Sequence, residues 1–365
     1  MQKLKFIVSG GGTGGHIFPA VAIADALRKR KPDCDILFIG AKDRMEMEKV
    51  PKAGYPIEGL WISGIQRKLS VENLMFPIKL LASLLKASKI LNRFKPDAVI
   101  GVGGYASAAV LRVAVAKGIP SLIQEQNSFP GITNKWLAPK VNKICVAYAG
   151  MEKFFPKDKI IITGNPVREE MVETDGKKTE ALRFFELKAD KPVLLITGGS
   201  LGARSVNQNI AKGLSKLKEA GIQVLWQTGN PFYQEAISLS KEYDNVFVHE
   251  FIYKMDFAYA VADVVVARAG AITVSELCLV MKPAILVPFP YAAEDHQTKN
   301  AMALVDNNAA IHISDSEASE TLIPSIIDLM ADDQKRTSLV ENIAKLAMKN
   351  AADTIANEIL NMIGE

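Results

Sequence analysis

His16 ends the run Gly10-Gly11-Gly12-Thr13-Gly14-Gly15-His16, which follows the apolar segment Leu4-Lys5-Phe6-Ile7-Val8 and leads into a helical pattern. A helix N-terminus disfavours imidazolium, so an imidazole held there stays neutral and able to accept a proton. The plainer alternative is a histidine that only helps to close the turn. Half a chain later Gly198-Gly199-Ser200-Leu201-Gly202-Ala203-Arg204 follows Pro192-Val193-Leu194-Leu195-Ile196. Both places have the strand, tight turn, helix layout that points backbone N–H groups at an anion. With Ser200 as a hydroxyl donor and Arg168 as a cation, such turns could meet the charge that grows on a departing diphosphate, while His16 deprotonates an incoming alcohol. Ser200 as a simple N-cap and Arg168 as a surface charge near a hinge are the structural alternatives.

Three further clusters carry chemistry-bearing side chains. In Arg268-Ala269-Gly270-Ala271-Ile272-Thr273-Val274-Ser275-Glu276, the pair Thr273 and Glu276 has capping-box spacing. In the functional alternative Glu276 accepts the hydroxyls of a ribose and the N–H groups of Ala271 and Ile272 meet sugar or phosphate oxygens. Gln124-Glu125-Gln126-Asn127 and Glu294-Asp295-His296-Gln297 each follow a strand pattern, where parallel sheets place their ligands. A turn network explains the first equally well; the second could select the hydroxyls of a sugar. Asp33-Cys34-Asp35 has the spacing of a metal-binding pair but lies ahead of a strand, on the wrong side for a ligand site. Gly10-x-Gly12-x-x-Gly15 also fits the dinucleotide fingerprint, yet the second strand ends in Gly40 and not in the acid that would bind ribose.

The elements that must position these residues recur in two halves. Strand and helix patterns alternate: an apolar run at 4–8, a helix near 17–30, a strand at 36–39, then Ala98-Val99-Ile100, a helix near 106–117 and Ser121-Leu122-Ile123. The second half repeats the plan with strands at 193–196, 223–227 and 263–267, a helix near 273–281 and Ala284-Ile285-Leu286-Val287. Short continuous apolar runs between helices indicate parallel sheets covered on both faces. The fold class expected is therefore α/β, with two Rossmann-like domains facing across a cleft: residues 1–164, residues 165–340, and a final helical segment, 341–365, packing back on the first.

At 365 residues and 48% hydrophobic content the chain can support two cores. A net charge of +4 from 44 basic and 40 acidic residues argues against a dedicated nucleic-acid binder. Cys34, Cys145 and Cys278 are isolated in apolar surroundings, which reads as reduced thiols without a disulfide or zinc framework. Glycines begin at Gly10, before a signal-peptide core is complete, so an intracellular chain is expected.

The segment from Leu74 to Phe94 is apolar but interrupted by Lys79, Lys86, Lys89 and Arg93, so no part of it is long enough to span a bilayer. It reads either as a helix covering the first sheet with its lysines in solvent, or as an interfacial helix resting on anionic lipid.

The motifs GGTGGHIFPA, VGGYAS, QEQNSFPGITNKWLA, TGNPVR, TGGSLGARSVN, ARAGAITVSE and DHQTKNA occur in that order over almost the whole chain. In this the sequence resembles the MurG family of undecaprenyl-diphospho-muramoylpentapeptide N-acetylglucosaminyltransferases. The resemblance implies the two-domain GT-B architecture, with no cofactor and no metal. The implied activity is inverting transfer of N-acetylglucosamine from UDP-N-acetylglucosamine to the C4 hydroxyl of the muramoyl sugar of lipid I, giving lipid II. By matching motif, Ile252 would meet uracil through its backbone, Glu276 the ribose, and Ser200 and Arg168 the diphosphate. Ala271, Ile272, Thr273, Val274 and Ser275, with Gln297, would hold the sugar side. Thr13, Gly14, Gly15 and Asn127 would border the transfer point, with His16 as base and Glu125 assisting or orienting. His296 stands before Gln297 where some members carry paired glutamines. A polyprenyl-anchored acceptor implies a peripheral enzyme on the cytoplasmic face of the inner membrane. Its expected contact residues are Leu74, Phe76, Lys79, Leu80, Leu81, Leu84 and Lys86, and its expected partners are anionic lipid and other cell-wall synthesis proteins.

Three rival readings make different predictions. A UDP-sugar 2-epimerase would turn over the donor without an acceptor. A catalytically inactive nucleotide-sugar-binding protein would lack turnover altogether. A nicotinamide oxidoreductase would require the missing ribose-binding acid.

Overall fold

The computed structural model describes residues 3–63, 75–199 and 202–365. Leu74 and Ser200, named above, lie outside them. The chain forms two compact units: residues Met1–Arg168 with Lys349–Glu365, and residues Glu169–Met348. The sequence pattern places these boundaries a few residues earlier, after residues 164 and 340.

The first unit is built on seven strands: β1 (Lys5–Ser9), β2 (Asp35–Ala41), β3 (Ile57–Leu60), β4 (Ala98–Gly101), β5 (Ser121–Glu125), β6 (Lys143–Val146) and β7 (Ile160–Ile162). They pair in parallel in the order β3-β2-β1-β4-β5-β6-β7. The helices between them are α1 (Gly14–Arg30), α2 (Glu46–Lys52), α3 (Phe76–Phe94), α4 (Tyr105–Ala116) and α5 (Ile132–Leu137). Alternate side chains leave a strand on opposite faces, and each face has its own core. Phe6, Val8, Phe38 and Ile100 pack with Ile17, Ile23 and Leu27 of α1. Ile7, Ile39, Val99 and Ile123 pack on the other face with Ile90 and Leu91 of α3 and Val110 and Leu111 of α4.

The second unit repeats this design with β8 (Val193–Thr197), β9 (Gln223–Gln227), β10 (Val246–His249), β11 (Val264–Ala267), β12 (Ala284–Leu286) and β13 (Ile311–His312), ordered β10-β9-β8-β11-β12-β13 and again parallel. Its α-helices are α6 (Lys178–Phe184), α7 (Arg204–Glu219), α8 (Asn230–Ser240), α9 (Met255–Val261), α10 (Ala271–Val280), α11 (His296–Val305), α12 (Ala318–Ala331) and α13 (Asp333–Lys345). The final helical segment expected at 341–365 falls in two helices: α13 ends in the second unit and α14 (Ala351–Met362) belongs to the first, where Ile355, Ala356 and Ile359 join the α1 side of the core. The break is at Asn350, whose backbone is left-handed at φ 60.

One detail ties the two designs together. Asp97 accepts the N–H of Lys5 at 2.7 Å, and Asp263 accepts that of Val193 at 2.8 Å. In each unit an aspartate just ahead of the fourth strand thus caps the first residue of the first. In each, β1 or β8 also has its successor on one side and a strand reached by a crossover on the other. Beyond the carboxyl ends of these two strands lies the switch point at which such sheets bind ligands.

Candidate functional site

At the switch point of the first unit, β1 passes through Gly10–Thr13 into α1. His16, on the first turn of α1, is half-buried, and its Nδ1 lies 3.0 Å from the carbonyl oxygen of Gly11, with the Thr13 hydroxyl 3.5 Å away. A carbonyl only accepts, so Nδ1 carries the proton and the basic lone pair of the neutral ring is on Nε2. The Nε2 edge packs against the β4–α4 turn: a Cβ on Gly103 would come within 2.8 Å of Nε2, and one on Gly104 within 2.6 Å of the Gly11 carbonyl. Both glycines are at positive φ, +98 and +87, so the close approach of the two turns needs glycine on both counts. A cavity of about 240 Å³ opens here, lined by Gly11, Gly12, Thr13, His16, Arg44 and Glu46, among others.

The first glycine turn departs from the expected anion cradle. The N–H of Gly12 is donated at 2.9 Å to Glu46, a fully buried carboxylate at the start of α2. The protein's own anion occupies part of what an external one would use. Glu46 escaped the sequence reading because its partner is 34 residues away.

Glu125 closes β5 and is 2% exposed. It accepts the backbone N–H of Asn127 at 3.0 Å and of Gly131 at 3.2 Å, and the side-chain amides of Asn127 at 3.3 Å and Asn134 at 2.8 Å. With so many donors its carboxylate organises the 126–134 turn. Asn165 joins this network by donating to the Gln126 carbonyl at 3.0 Å and accepting from Gln124 at 3.1 Å. Arg168, expected at a diphosphate, is the last residue of the first unit and stacks its guanidinium 4.7 Å from the ring centre of Phe18.

In the second unit the parallel register aligns Thr197, Gln227 and His249 across β8, β9 and β10. Gln227 uses that alignment as a clamp. Its amide donates to the Thr197 hydroxyl at 3.1 Å and the Gly199 carbonyl at 3.3 Å, and its oxygen accepts the N–H of Ile252 at 2.9 Å. With that N–H engaged, the backbone group Ile252 would offer a pyrimidine is its carbonyl. The glycine turn closes by the Gly202 N–H on the Gly199 carbonyl at 3.1 Å.

Helix α10 begins at Ala271 with Gly270 at its cap, so Thr273 is its third residue and the capping-box pairing of Thr273 with Glu276 is not formed. The helix starts with no acid in its first turn. Glu276 instead accepts the hydroxyl of Tyr259 at 2.9 Å. Tyr259 is fully buried; burial first, and the Glu276 carboxylate second, push its hydroxyl well above the usual phenol range, so it stays a donor and orients Glu276. Val274 is buried in the core and Ser275 is half-buried. Arg268 donates to the carbonyls of Val287 and Pro288 and to Ser205 and Asp315, tying the start of α7 to the exit of β12. Gln297 accepts the N–H of Phe289 at 2.9 Å. It follows two consecutive left-handed residues, Glu294 and Asp295, in the loop expected at the sugar.

The surface of α3 differs from the reading of its sequence. Leu80 and Leu84 pack onto the core of the first unit, and the exposed apolar row is Ile78, Leu81 and Leu85 at 54, 60 and 65% exposure. Phe76 is half-buried. Lys79 bonds the Ser63 hydroxyl at 3.1 Å, Lys86 the Gly59 carbonyl at 2.7 Å, and Arg93 pairs with Glu58. Three of the four basic groups are therefore tied to β3 or to the segment that follows it. Among the described residues no helix is long and apolar enough to cross a membrane, and no three His, Cys, Asp or Glu side chains form a group that could hold a metal. Asp35 begins β2 at the sheet's other end and pairs with Lys3 at 2.7 Å.

Comparison with known proteins matches residues 6–146 to the glycosyltransferase family 28 N-terminal domain and residues 193–357 to the family 28 C-terminal domain. A protein of Flavobacterium psychrophilum named UDP-N-acetylglucosamine--N-acetylmuramyl-(pentapeptide) pyrophosphoryl-undecaprenol N-acetylglucosamine transferase is 52% identical over 363 residues, covering 100% of this chain and 99% of its own. One of the same name from Cytophaga hutchinsonii is 54% identical, covering 99% and 98%. The crystal structure of Acinetobacter baumannii MurG superposes with a TM-score of 0.78 at 29% identity, over 99% of this chain and 100% of that one. A UDP-N-acetylglucosamine 2-epimerase structure gives 0.69 at 15% identity over 100% and 97% of the two chains, a likeness of fold alone.

Proposed function

The chain belongs to glycosyltransferase family 28, as a member of its MurG group with the GT-B architecture, and from that premise we propose how its residues divide the work of glycosyl transfer. The enzyme transfers N-acetylglucosamine from UDP-N-acetylglucosamine to lipid I, forming lipid II in peptidoglycan synthesis. His16 Nε2 takes the proton of the muramoyl C4 hydroxyl as that oxygen attacks the anomeric carbon. The bond from that carbon to the UDP oxygen breaks, and the configuration inverts. The observation that carries this reading is the Nδ1 contact to the Gly11 carbonyl, which leaves Nε2 as the basic atom of the neutral ring.

The second unit supplies most of the donor contacts, and the first supplies Arg168, its last residue before the second begins. The Gly198–Gly202 turn, with Ser200, and Arg168 meet the diphosphate; Glu276, oriented by Tyr259, accepts from the ribose; Ile252 offers its carbonyl to uracil. The start of α10 and Gln297 hold the sugar. Glu125 acts by shaping the turn that carries Asn127. The glycine-turn amides and a guanidinium supply the positive charge in place of a metal. The test is purified protein with UDP-N-acetylglucosamine and a short-chain lipid I analogue, with and without EDTA. Transfer at equal rate in both is the expected result; donor consumption independent of acceptor would instead indicate epimerase chemistry.

The enzyme meets its acceptor as a peripheral protein on the cytoplasmic face of the membrane, through the exposed row of α3 with Met75 at its start. Replacing Leu81 and Leu85 together by glutamate should release the protein from anionic vesicles, with the melting temperature and transfer to a water-soluble acceptor unchanged. Replacing the packed Leu80 and Leu84 should lower the melting temperature instead. Unaltered sedimentation of the Leu81/Leu85 variant with vesicles would rule out this face.

A further inference from the structure

We propose that Glu46 is a positioning residue for His16, acting through the Gly11–Gly12 turn; the inference rests on the reading of His16 as general base. Glu46 is 0% exposed, a costly place for a carboxylate unless its oxygens are bonded. One oxygen accepts the N–H of Ala41, at the end of β2, at 2.9 Å; the other accepts the N–H of Gly12 at 2.9 Å. The carboxylate also fills the space where Gly11 would carry a side chain: a Cβ there would overlap it. The carbonyl of Gly11 in turn accepts from His16 Nδ1 at 3.0 Å. A continuous path therefore runs from the buried carboxylate through the Gly12 amide and the Gly11 peptide to the ring nitrogen that must hold its proton.

Two consequences distinguish this from a purely structural bond. Both groups facing Glu46 are donors, so the geometry calls for two acceptor atoms, and glutamine would turn its own NH₂ towards one of them. The second consequence is electrostatic. A fixed negative charge behind Gly11 favours the imidazolium that forms as His16 takes the proton. The other titratable groups lining the same cavity are Arg44 and Tyr105. Arg44 opposes the effect from an exposed position, where solvent screens it.

The experiment compares wild type, Glu46→Gln, Glu46→Asp, His16→Ala and the His16→Ala/Glu46→Gln double variant, measuring kcat, donor KM, UDP affinity and the pH profile of kcat/KM. Glu46→Gln should lower kcat by about tenfold to a hundredfold through misplacement of the base, with donor KM and UDP affinity within about twofold of wild type. Without the nearby anion the imidazolium is harder to form, so the base stays deprotonated to lower pH and the acidic limb moves down. Glu46→Asp keeps the charge but falls one methylene short of spanning both amides, and should lose turnover with the limb in place. In the double variant the second change should cost nothing further. Wild-type kcat and limb in Glu46→Gln, or additive loss in the double variant, would overturn the role of Glu46. If Glu46→Gln does not fold, wild-type turnover in Glu46→Asp overturns it equally. A fully active His16→Ala would overturn the base itself, a separable failure.

Discussion

His16→Ala should lower kcat by about 10² to 10⁴, the usual worth of a positioned general base, while UDP binds as in wild type. The two effects separate because His16 belongs to the first unit, whereas the residues assigned to uracil and ribose, Ile252 and Glu276, belong to the second. The ring is half-buried against a glycine turn and not part of either core cluster of its unit, so the variant should fold. Turnover of a soluble lipid I analogue and calorimetric titration with UDP check the two halves of the expectation. A variant with wild-type kcat would mean another base. Glu125 is poorly placed for that task, because its oxygens already accept from Asn127, Gly131 and Asn134.

Gly202→Ala should be the most damaging single-methyl change in the second unit's glycine turn. Gly202 has φ +73, and a Cβ there would overlap the backbone carbonyl of Thr228. Gly199 provides the internal control, with a similar φ of +77 and no described residue within 4 Å of the added atom. Both variants carry the left-handed strain of about 1–2 kcal/mol. Gly202→Ala adds a collision with main chain that no rotamer can relieve, worth about 1–3 kcal/mol more. Because the displaced atoms belong to the β9 exit, beside the Gln227 clamp, UDP affinity should fall in Gly202→Ala well beyond any change in Gly199→Ala. Thermal melting and UDP titration of the pair measure the difference; equal losses in both would show that the collision is relieved elsewhere.

Much of the fold is legible in the chain because its signals are local. An apolar run, a glycine turn and a helical pattern sit side by side at Phe6 to Leu27 and again at Val193 to Leu214; both strands and the first helix are legible within a few residues of their true bounds, and the second helix only as the element that follows its glycine turn. The outer strands β3, β7, β10 and β13 went unread, as did the four-residue inner strand β6. The outer ones are short, and most of their residues are only partly buried, so a sheet edge imposes no continuous apolar run on its sequence. The capping-box spacing of Thr273 and Glu276 was a true local pattern with a different outcome, since the helix starts two residues before Thr273 and Glu276 turns to Tyr259.

The candidate base was legible for the same reason: glycine turn, histidine and helix start are consecutive in the chain. Its supports were not. Glu46 reaches Gly12 across 34 residues, Gln227 reaches Ile252 across 25, and Tyr259 reaches Glu276 across 17. Strand register and helix docking bring these partners together, and neither leaves a spacing in the sequence. Composition and periodicity specify which segments become strands and helices, because burial and backbone bonding act over a few residues at a time. Which carboxylate lies beneath which glycine is decided when a parallel sheet sets its strands side by side and their carboxyl ends meet.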